Sequence, residues 1–156
     1  MKVNVGYIKQ MSKKRITELQ YMECDACACY ESYDSDKKEF IIGAIPAETL
    51  GEFKKRHAKT LFLTVIEDKR LVAMAGISKI GRGKNAYLAL HTLYVKPFQR
   101  DKGIGTKILQ KAIEIAKSQK MRLMLKVNPL NARAWKLYER LGFTPSKGQN
   151  IMMEIS

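Results

Sequence analysis

Leu93-Tyr94-Val95-Lys96-Pro97-Phe98-Gln99-Arg100-Asp101-Lys102-Gly103-Ile104-Gly105-Thr106 is the stretch that decides the fold. It opens on the end of a nearly continuous apolar run, Tyr87 to Val95, as expected of a strand covered on both faces. Pro97 ends that strand. From Gly103 to about Lys120 the period becomes helical, with Ile104, Ile108, Leu109, Ala112, Ile113 and Ala116 on one stripe and Lys107, Lys111 and Lys117 off it. A buried strand that feeds a glycine loop and then a helix offers an anion site. Gly103 and Gly105 let the backbone come close to a ligand. The first helical turn has N–H groups without intrahelical partners, and the helix dipole adds to their pull. Arg100 and Lys102 contribute full positive charge, and a pyrophosphate fits such a place. The loop lacks the Gly-Lys-Ser/Thr ending of a P-loop. Ile108 stands where a dinucleotide fingerprint needs its third glycine.

Outward from this stretch the elements alternate. Val3 to Met11 reads as a strand, and Ile16 to about Tyr30 as a helix with Ile16, Leu19 and Met22 at helical spacing. The acidic residues 31–39 read as a loop. Pro46-Ala47-Glu48 is expected to open a helix running to about Lys59, with His57 on an exposed face. Leu61 to Ile66 and Leu71 to Ser78 form a hairpin about a turn at 67–70, and Gly81-Arg82-Gly83-Lys84 is a second turn. Leu123, Leu125 and Val127 alternate as a strand. Ala132 to Leu141 is a helix with Ala134, Leu137, Tyr138 and Leu141 inward, stopped by Gly142 as a left-handed cap. Ile151 to Ile155 is a last strand. The sum is an α/β (α+β) chain, a mixed and mostly antiparallel sheet flanked by helices on both faces. No repeat or linker divides it, so residues 1–156 are expected to form one domain.

A second run comes after the first, Asn131-x-x-Ala134-x-x-Leu137-Tyr138-x-x-Leu141-Gly142-Phe143. Taken with Leu93-Tyr94-Val95 and Arg100-x-x-Gly103-x-Gly105, it resembles the acetyl-CoA motifs of the GNAT superfamily of N-acetyltransferases at their expected separation. The pair covers about a third of the chain; the first sixty residues match that family only in layout. The resemblance implies an enzyme that moves an acetyl group from acetyl-CoA, its cosubstrate, to an amine by direct attack in a ternary complex. Main-chain groups of Leu93, Tyr94 and Val95 would pair with the pantetheine arm, and the N–H of Val95 would stabilise the oxyanion. Arg100, Asp101, Lys102, Gly103, Ile104, Gly105 and Thr106 would hold the pyrophosphate. Asn131 either hydrogen-bonds the cofactor or serves as a plain helix N-cap, a position that favours Asn.

Tyr138 matches the family tyrosine placed at the departing thiolate, though a buried helix tyrosine with a satisfied hydroxyl also explains it. A phenol near ~10 is a weaker acid than a thiol near ~8.5, so a hydrogen bond to the developing thiolate is easier to defend than full proton transfer. A protonated amine must also lose a proton before it attacks. The strand ahead of the glycine loop offers His91 for that, with a satisfied core histidine and a water chain to bulk as the competing accounts.

Composition narrows the classes. The net charge is +14, with residues 79–156 carrying +12 and residues 23–39 carrying −4. A basic half attracts polyanions in general. A non-catalytic module for nucleic acid or ribosome would leave Arg100, Gly103, Gly105 and Tyr138 without a role, so nucleic acid is not the expected partner. The acceptor is expected to be a small amine or polyamine, with a protein N-terminus or lysine as the other class. The acidic stretch 23–39, with Tyr30 and Tyr33, could draw in a cationic amine. Cys24, Cys27 and Cys29 are odd in number and short of a four-ligand zinc site, so reduced thiols are expected and no metal. No apolar run spans a bilayer, and Met1 to Val5 lacks the charged start, long apolar stretch and cleavage site of a signal peptide, which gives a cytoplasmic expectation without membrane partners. A homodimer stays open.

Overall fold

The computed structural model describes residues 1–31, 46–146 and 152–156. In chain order these form β1 (Val3–Tyr7), α1 (Lys13–Glu31), α2 (Leu50–Arg56), β2 (Leu61–Glu67), β3 (Arg70–Ile80), β4 (Tyr87–Val95), α3 (Ile104–Ser118), β5 (Leu123–Lys126), α4 (Ala132–Arg140), β6 (Thr144–Pro145) and β7 (Met152–Ile155). The strands make a seven-stranded sheet in the order β1-β2-β3-β4-β5-β7-β6. Every pairing is antiparallel except β4 with β5. That parallel pair is joined through α3, as a crossover between parallel strands requires.

Two apolar clusters lie on opposite faces, because neighbouring residues of a strand point opposite ways. Leu63 and Val65 of β2 join Ile104, Ile108, Leu109, Ala112 and Ala116 of α3, with Tyr138 of α4 and Phe143. Phe62 joins Ile16, Leu19 and Met22 of α1 and Phe53 of α2. Of the helical stripes read from the sequence, Ile16, Leu19, Met22, Ile104, Ile108, Leu109, Ala112, Ala116 and Tyr138 are buried, while Ile113, Ala134, Leu137 and Leu141 are partly buried against the core. The β2–β3 hairpin turns on Asp68 and Lys69, both at positive φ (47° and 63°), which matches the twist of the flanking strands. Gly142 ends α4 at φ 93°, as a left-handed cap should.

Several boundaries differ from expectation. The first strand stops at Tyr7, and Ile8–Gln10 turn as a 3₁₀ helix tied by the Gln10 side chain to the Tyr7 N–H. The second helix opens at Leu50, not at Pro46. Thr49 and Glu52 form a capping box there, a stronger start than a proline. Residues 32–39, Ile151 and the side chains of Cys27, Cys29, Tyr30 and Tyr33 lie outside the described residues. His57 is not on an exposed face: it is 3% exposed, packed between Phe53 and Phe62.

Candidate active site

The site begins with a fault in β4. Its pairing with β3 slips between Met74 and Gly76, where Thr92 takes a left-handed φ of 53°. An extra residue in one strand bends that strand and re-aims the residues beyond it. Pairing of β4 with β5 runs from Leu88–Leu123 to Leu90–Leu125 and goes no further. Beyond the bulge, Leu93, Tyr94 and Val95 therefore leave β5 and become one wall of a cleft of about 1150 Å³. The N–H of Lys96 bonds Val72 on the β3 side at 3.0 Å. Main-chain groups alternate in direction along a strand, so those of Val95 turn toward the cleft.

The floor is the start of α3. Gly103 precedes it at φ 73° and, having no side chain, leaves the N–H groups of the first turn without an N-cap acceptor. A Cβ on Gly103 would meet nothing within 4 Å, and one on Gly105 only Leu137 and Val95 at 3.8 and 3.9 Å. Arg100 is half-buried; its Nε donates to the Val95 carbonyl at 3.0 Å and its guanidinium lies 5.8 Å from the Tyr94 ring centroid. The opposite wall is α4. Asn131 caps it, its Oδ1 accepting from the Ala134 N–H at 3.0 Å, and also lines the cleft. Tyr138 is 7% exposed on the same wall, its ring 5.9 Å from that of Phe143.

Leu93, Tyr94, Val95, Arg100, Asp101, Gly103, Ile104, Gly105, Thr106, Asn131 and Tyr138 thus meet on one cleft. Lys102 and His91 are not among its lining residues. Lys102 donates from Nζ to Gln99 Oε1 at 2.8 Å on the exposed side of the loop. Asp101 stands at the rim, where its carboxylate pairs with Arg133 of α4 and so does not oppose an anion. The sequence reading missed Arg133, Lys136 and Arg140, which α4 presents to the cleft. Their spacing of three and four residues puts them on one helical face, and that signal was present. Arg140 reaches Thr106 Oγ1 at 3.5 Å.

His91 sits just upstream of the bulge, opposite Gly76, on the sheet face turned toward α1 and α2. Its Nε2 lies 3.0 Å from Ser78 Oγ, and its ring centroid 6.1 Å from that of His57. Burial first, then the nearby His57, holds its pKa below the usual imidazole value. Glu23, read as part of the acidic stretch 23–39, lies 2.8 Å from His57 Nε2 and accepts from Arg56 Nη1 at 2.6 Å. Burial opposes its ionisation, but the hydrogen bonds from His57 and Arg56 outweigh that and hold its pKa below the usual carboxylate value. Cys24 is half-buried, and burial with the neighbouring Asp25 and Glu23 charges pushes its thiol up, so it stays protonated.

Comparison with known proteins gives the family and the fold. Over 62 residues the chain is 44% identical to thialysine N-epsilon-acetyltransferase of Bos taurus, a match covering 39% of this chain and 35% of that relative's length. The PaiA N-acetyltransferase of Thermoplasma acidophilum, solved with coenzyme A, superposes with a TM-score of 0.65 at 22% identity over 99% of this chain and 98% of that one. A predicted acetyltransferase of Clostridium acetobutylicum, solved with acetyl-CoA, gives 0.65 at 18% identity over 95% and 94%. At such identities the two structures establish the fold. The acetyltransferase (GNAT) family model matches residues 19–143, four-fifths of the sequence and all of the cleft, and on that match the chain belongs to the GNAT acetyltransferase family.

Proposed function

We propose that this protein transfers the acetyl group of acetyl-CoA to a primary amine, a small amine or polyamine, within a ternary complex. The observation that carries this reading is the cleft shared by the splayed end of β4, the uncapped start of α3 and the inner face of α4. Its chemistry suits a CoA ester. Open space over Gly103 and Gly105 admits a pyrophosphate to the α3 N–H groups, and Arg100 and Arg140 bring charge to the same place. When bound, acetyl-CoA supplies an activated acyl thioester.

The protein's own part is positioning, electrostatics and proton handling. The side of Leu93 to Val95 turned away from β3 offers main-chain hydrogen bonds to an extended arm, and the Val95 N–H faces the place where an oxyanion would develop. Tyr138 donates a hydrogen bond toward the leaving sulfur. His91 accepts the proton of the amine; its lowered pKa keeps the ring neutral at pH values where an ordinary imidazole begins to protonate. The bovine relative's name specifies an ε-amine, which favours a flexible aliphatic amine as acceptor.

The test is a mass-spectrometric search for acetylated product. Purified protein and acetyl-CoA are offered polyamines, amino acids, aryl-alkylamines and peptides, with Tyr138→Phe alongside. Acetylated small amine, reduced in the variant, is the expected result. Acetylated peptide alone would move the acceptor to the protein class. Absence of product together with absence of acetyl-CoA binding would overturn the reading.

A further inference from the structure

On the α1 and α2 side of β4, buried polar side chains form a line that ends at His91, just ahead of the splayed stretch Leu93 to Val95. Glu23 Oε2 lies 2.8 Å from His57 Nε2, and His57 Nδ1 lies 3.1 Å from Thr60 Oγ1. Thr60 Oγ1 lies 3.2 Å from Ser78 Oγ, which lies 3.0 Å from His91 Nε2. Five residues from α1, the end of α2, the start of β2, β3 and β4 contribute. His57 and Thr60 are 3% and 4% exposed. Buried polar side chains need partners, but a closed pair would satisfy that need. A line joining two imidazoles through two hydroxyls does more.

The atoms allow two polarities. With both rings neutral, His57 carries its proton on Nε2 beside the Glu23 carboxylate, Thr60 donates to His57 Nδ1, Ser78 to Thr60, and His91 Nε2–H to Ser78. Every proton is then used once, and His91 Nδ1 is left with a bare lone pair. Adding a proton at His91 Nδ1 and reversing the three inner bonds puts a second proton on His57, next to the Glu23 carboxylate. His91 stays neutral with its proton on Nδ1.

We propose that Ser78, Thr60, His57 and Glu23 form a proton relay that moves the charge taken up by His91 to the His57–Glu23 pair. The proposal rests on the reading of His91 as the base for the amine. The amine's proton bonds to His91 Nδ1. The proton on Nε2 passes to Ser78, that of Ser78 to Thr60, and that of Thr60 to His57 Nδ1. Each hydroxyl gains one proton and loses one, so a single positive charge appears on His57. The groups facing this line fix where the charge rests. Glu23 from α1 attracts it. Arg56 of α2, held by Glu23 and Glu48, repels a further one. Two imidazolium rings 6.1 Å apart would repel each other, so the line holds one extra proton and not two. The Glu23 side chain keeps 13% exposure, which gives the proton an outlet to water. His91 is thereby reset while remaining the group that meets the amine, and the other four are positioning residues.

Two measurements separate the relay from the reading beneath it. Imidazole ¹⁵N NMR of the free protein tracks both tautomers against pH. The relay requires His91 to change from Nε2–H to Nδ1–H at the same pH at which His57 gains its second proton, and the change to vanish in Ser78→Ala. A His91 tautomer that stays constant while His57 titrates overturns the relay, whatever the acceptor proves to be. In steady-state kinetics, Thr60→Val and Ser78→Ala should lower kcat by about tenfold or more with KM for acetyl-CoA held, and Thr60→Ser should regain most of the loss. A lowered kcat in His91→Gln beside wild-type kcat in Thr60→Val and Ser78→Ala strikes the relay alone. Wild-type kcat in His91→Gln strikes the base, and the relay with it.

Discussion

Arg100 Nε donates to the carbonyl oxygen of Val95 at 3.0 Å, tying the glycine loop back onto the strand end it has just left. One side chain thereby sets the distance between the main-chain edge of β4 and the start of α3, the two surfaces that a CoA ester would touch. A planar guanidinium can hold this bond and still present other N–H groups, whereas an ammonium cannot fork in that way. Arg100→Ala should weaken CoA binding about 10- to 100-fold, the range for losing a hydrogen bond to a charged group, with a smaller effect on kcat. Arg100→Lys should recover little of it. Titration calorimetry with CoA reads both variants without need of an acceptor.

Gly103 carries a different demand. Its φ of 73° suits glycine, and no protein atom lies within 4 Å of where a Cβ would stand. Gly103→Ala should therefore lower stability by backbone strain alone, about 1–2 kcal/mol. For a domain of this size that corresponds to a fall in Tm of roughly 2–8 °C. The methyl group would also enter space needed by an anion at the helix start, so CoA affinity should fall as well. A melting curve with and without CoA separates the two effects: the variant should lose both baseline Tm and the upward shift that CoA gives the native protein.

Tyr138→Phe isolates the hydroxyl. The ring packs against Phe143 within the α3-side core, and phenylalanine keeps that contact. With the leaving-group role, kcat should fall by about 10- to 100-fold while the Kd for CoA stays near that of the native protein, because the ring packing is kept and the hydroxyl at the departing sulfur is removed. A variant that loses CoA affinity and keeps its kcat would instead make Tyr138 a binding residue.

The sheet, the α3 stripe and most of the cleft are legible in the sequence because each is written in local signals. Period, proline, glycine and a pair of motifs place Leu93 to Thr106 and Asn131 to Tyr138 on the same structure. The residues behind His91 are not written locally. Glu23 and His57 are far apart in sequence and look like surface charges until α1 and α2 pack together and bury them. A lone histidine in the basic run Lys54-Lys55-Arg56-His57 gives no periodic sign of burial. Its partner carboxylate sits in a run of acids that reads as solvated. Thr92 is equally silent, since a bulge comes from the mismatch of two strands and not from either one. For the second helix, Pro46 marks only a tolerated start, while the Thr49–Glu52 box marks the actual one.

Acid should expose the burial of His91 thermodynamically. His91 is held below the ordinary imidazole pKa of 6.5, chiefly by burial and next by the charge of His57. Between its folded value and 6.5 the unfolded chain binds more protons, so stability rises with pH across that window and is lost as pH falls through it. Glu23, also held low, adds a loss of the same sign further down, below its ordinary value of 4.5. Denaturant unfolding from pH 7.5 to 5 should show native stability declining relative to His91→Gln, which lacks the titrating ring. Gly76→Ala gives a second handle on the same ring. A Cβ there would stand 2.6 Å from His91 Cε1 and 2.9 Å from Nδ1, so the ring must move. The overpacking should cost about 1–3 kcal/mol at neutral pH. If the ring is pushed toward water, the variant's stability should also depend less on pH below 6.5 than that of the native protein. An acid profile parallel to the native one would mean that the ring finds an equally buried place.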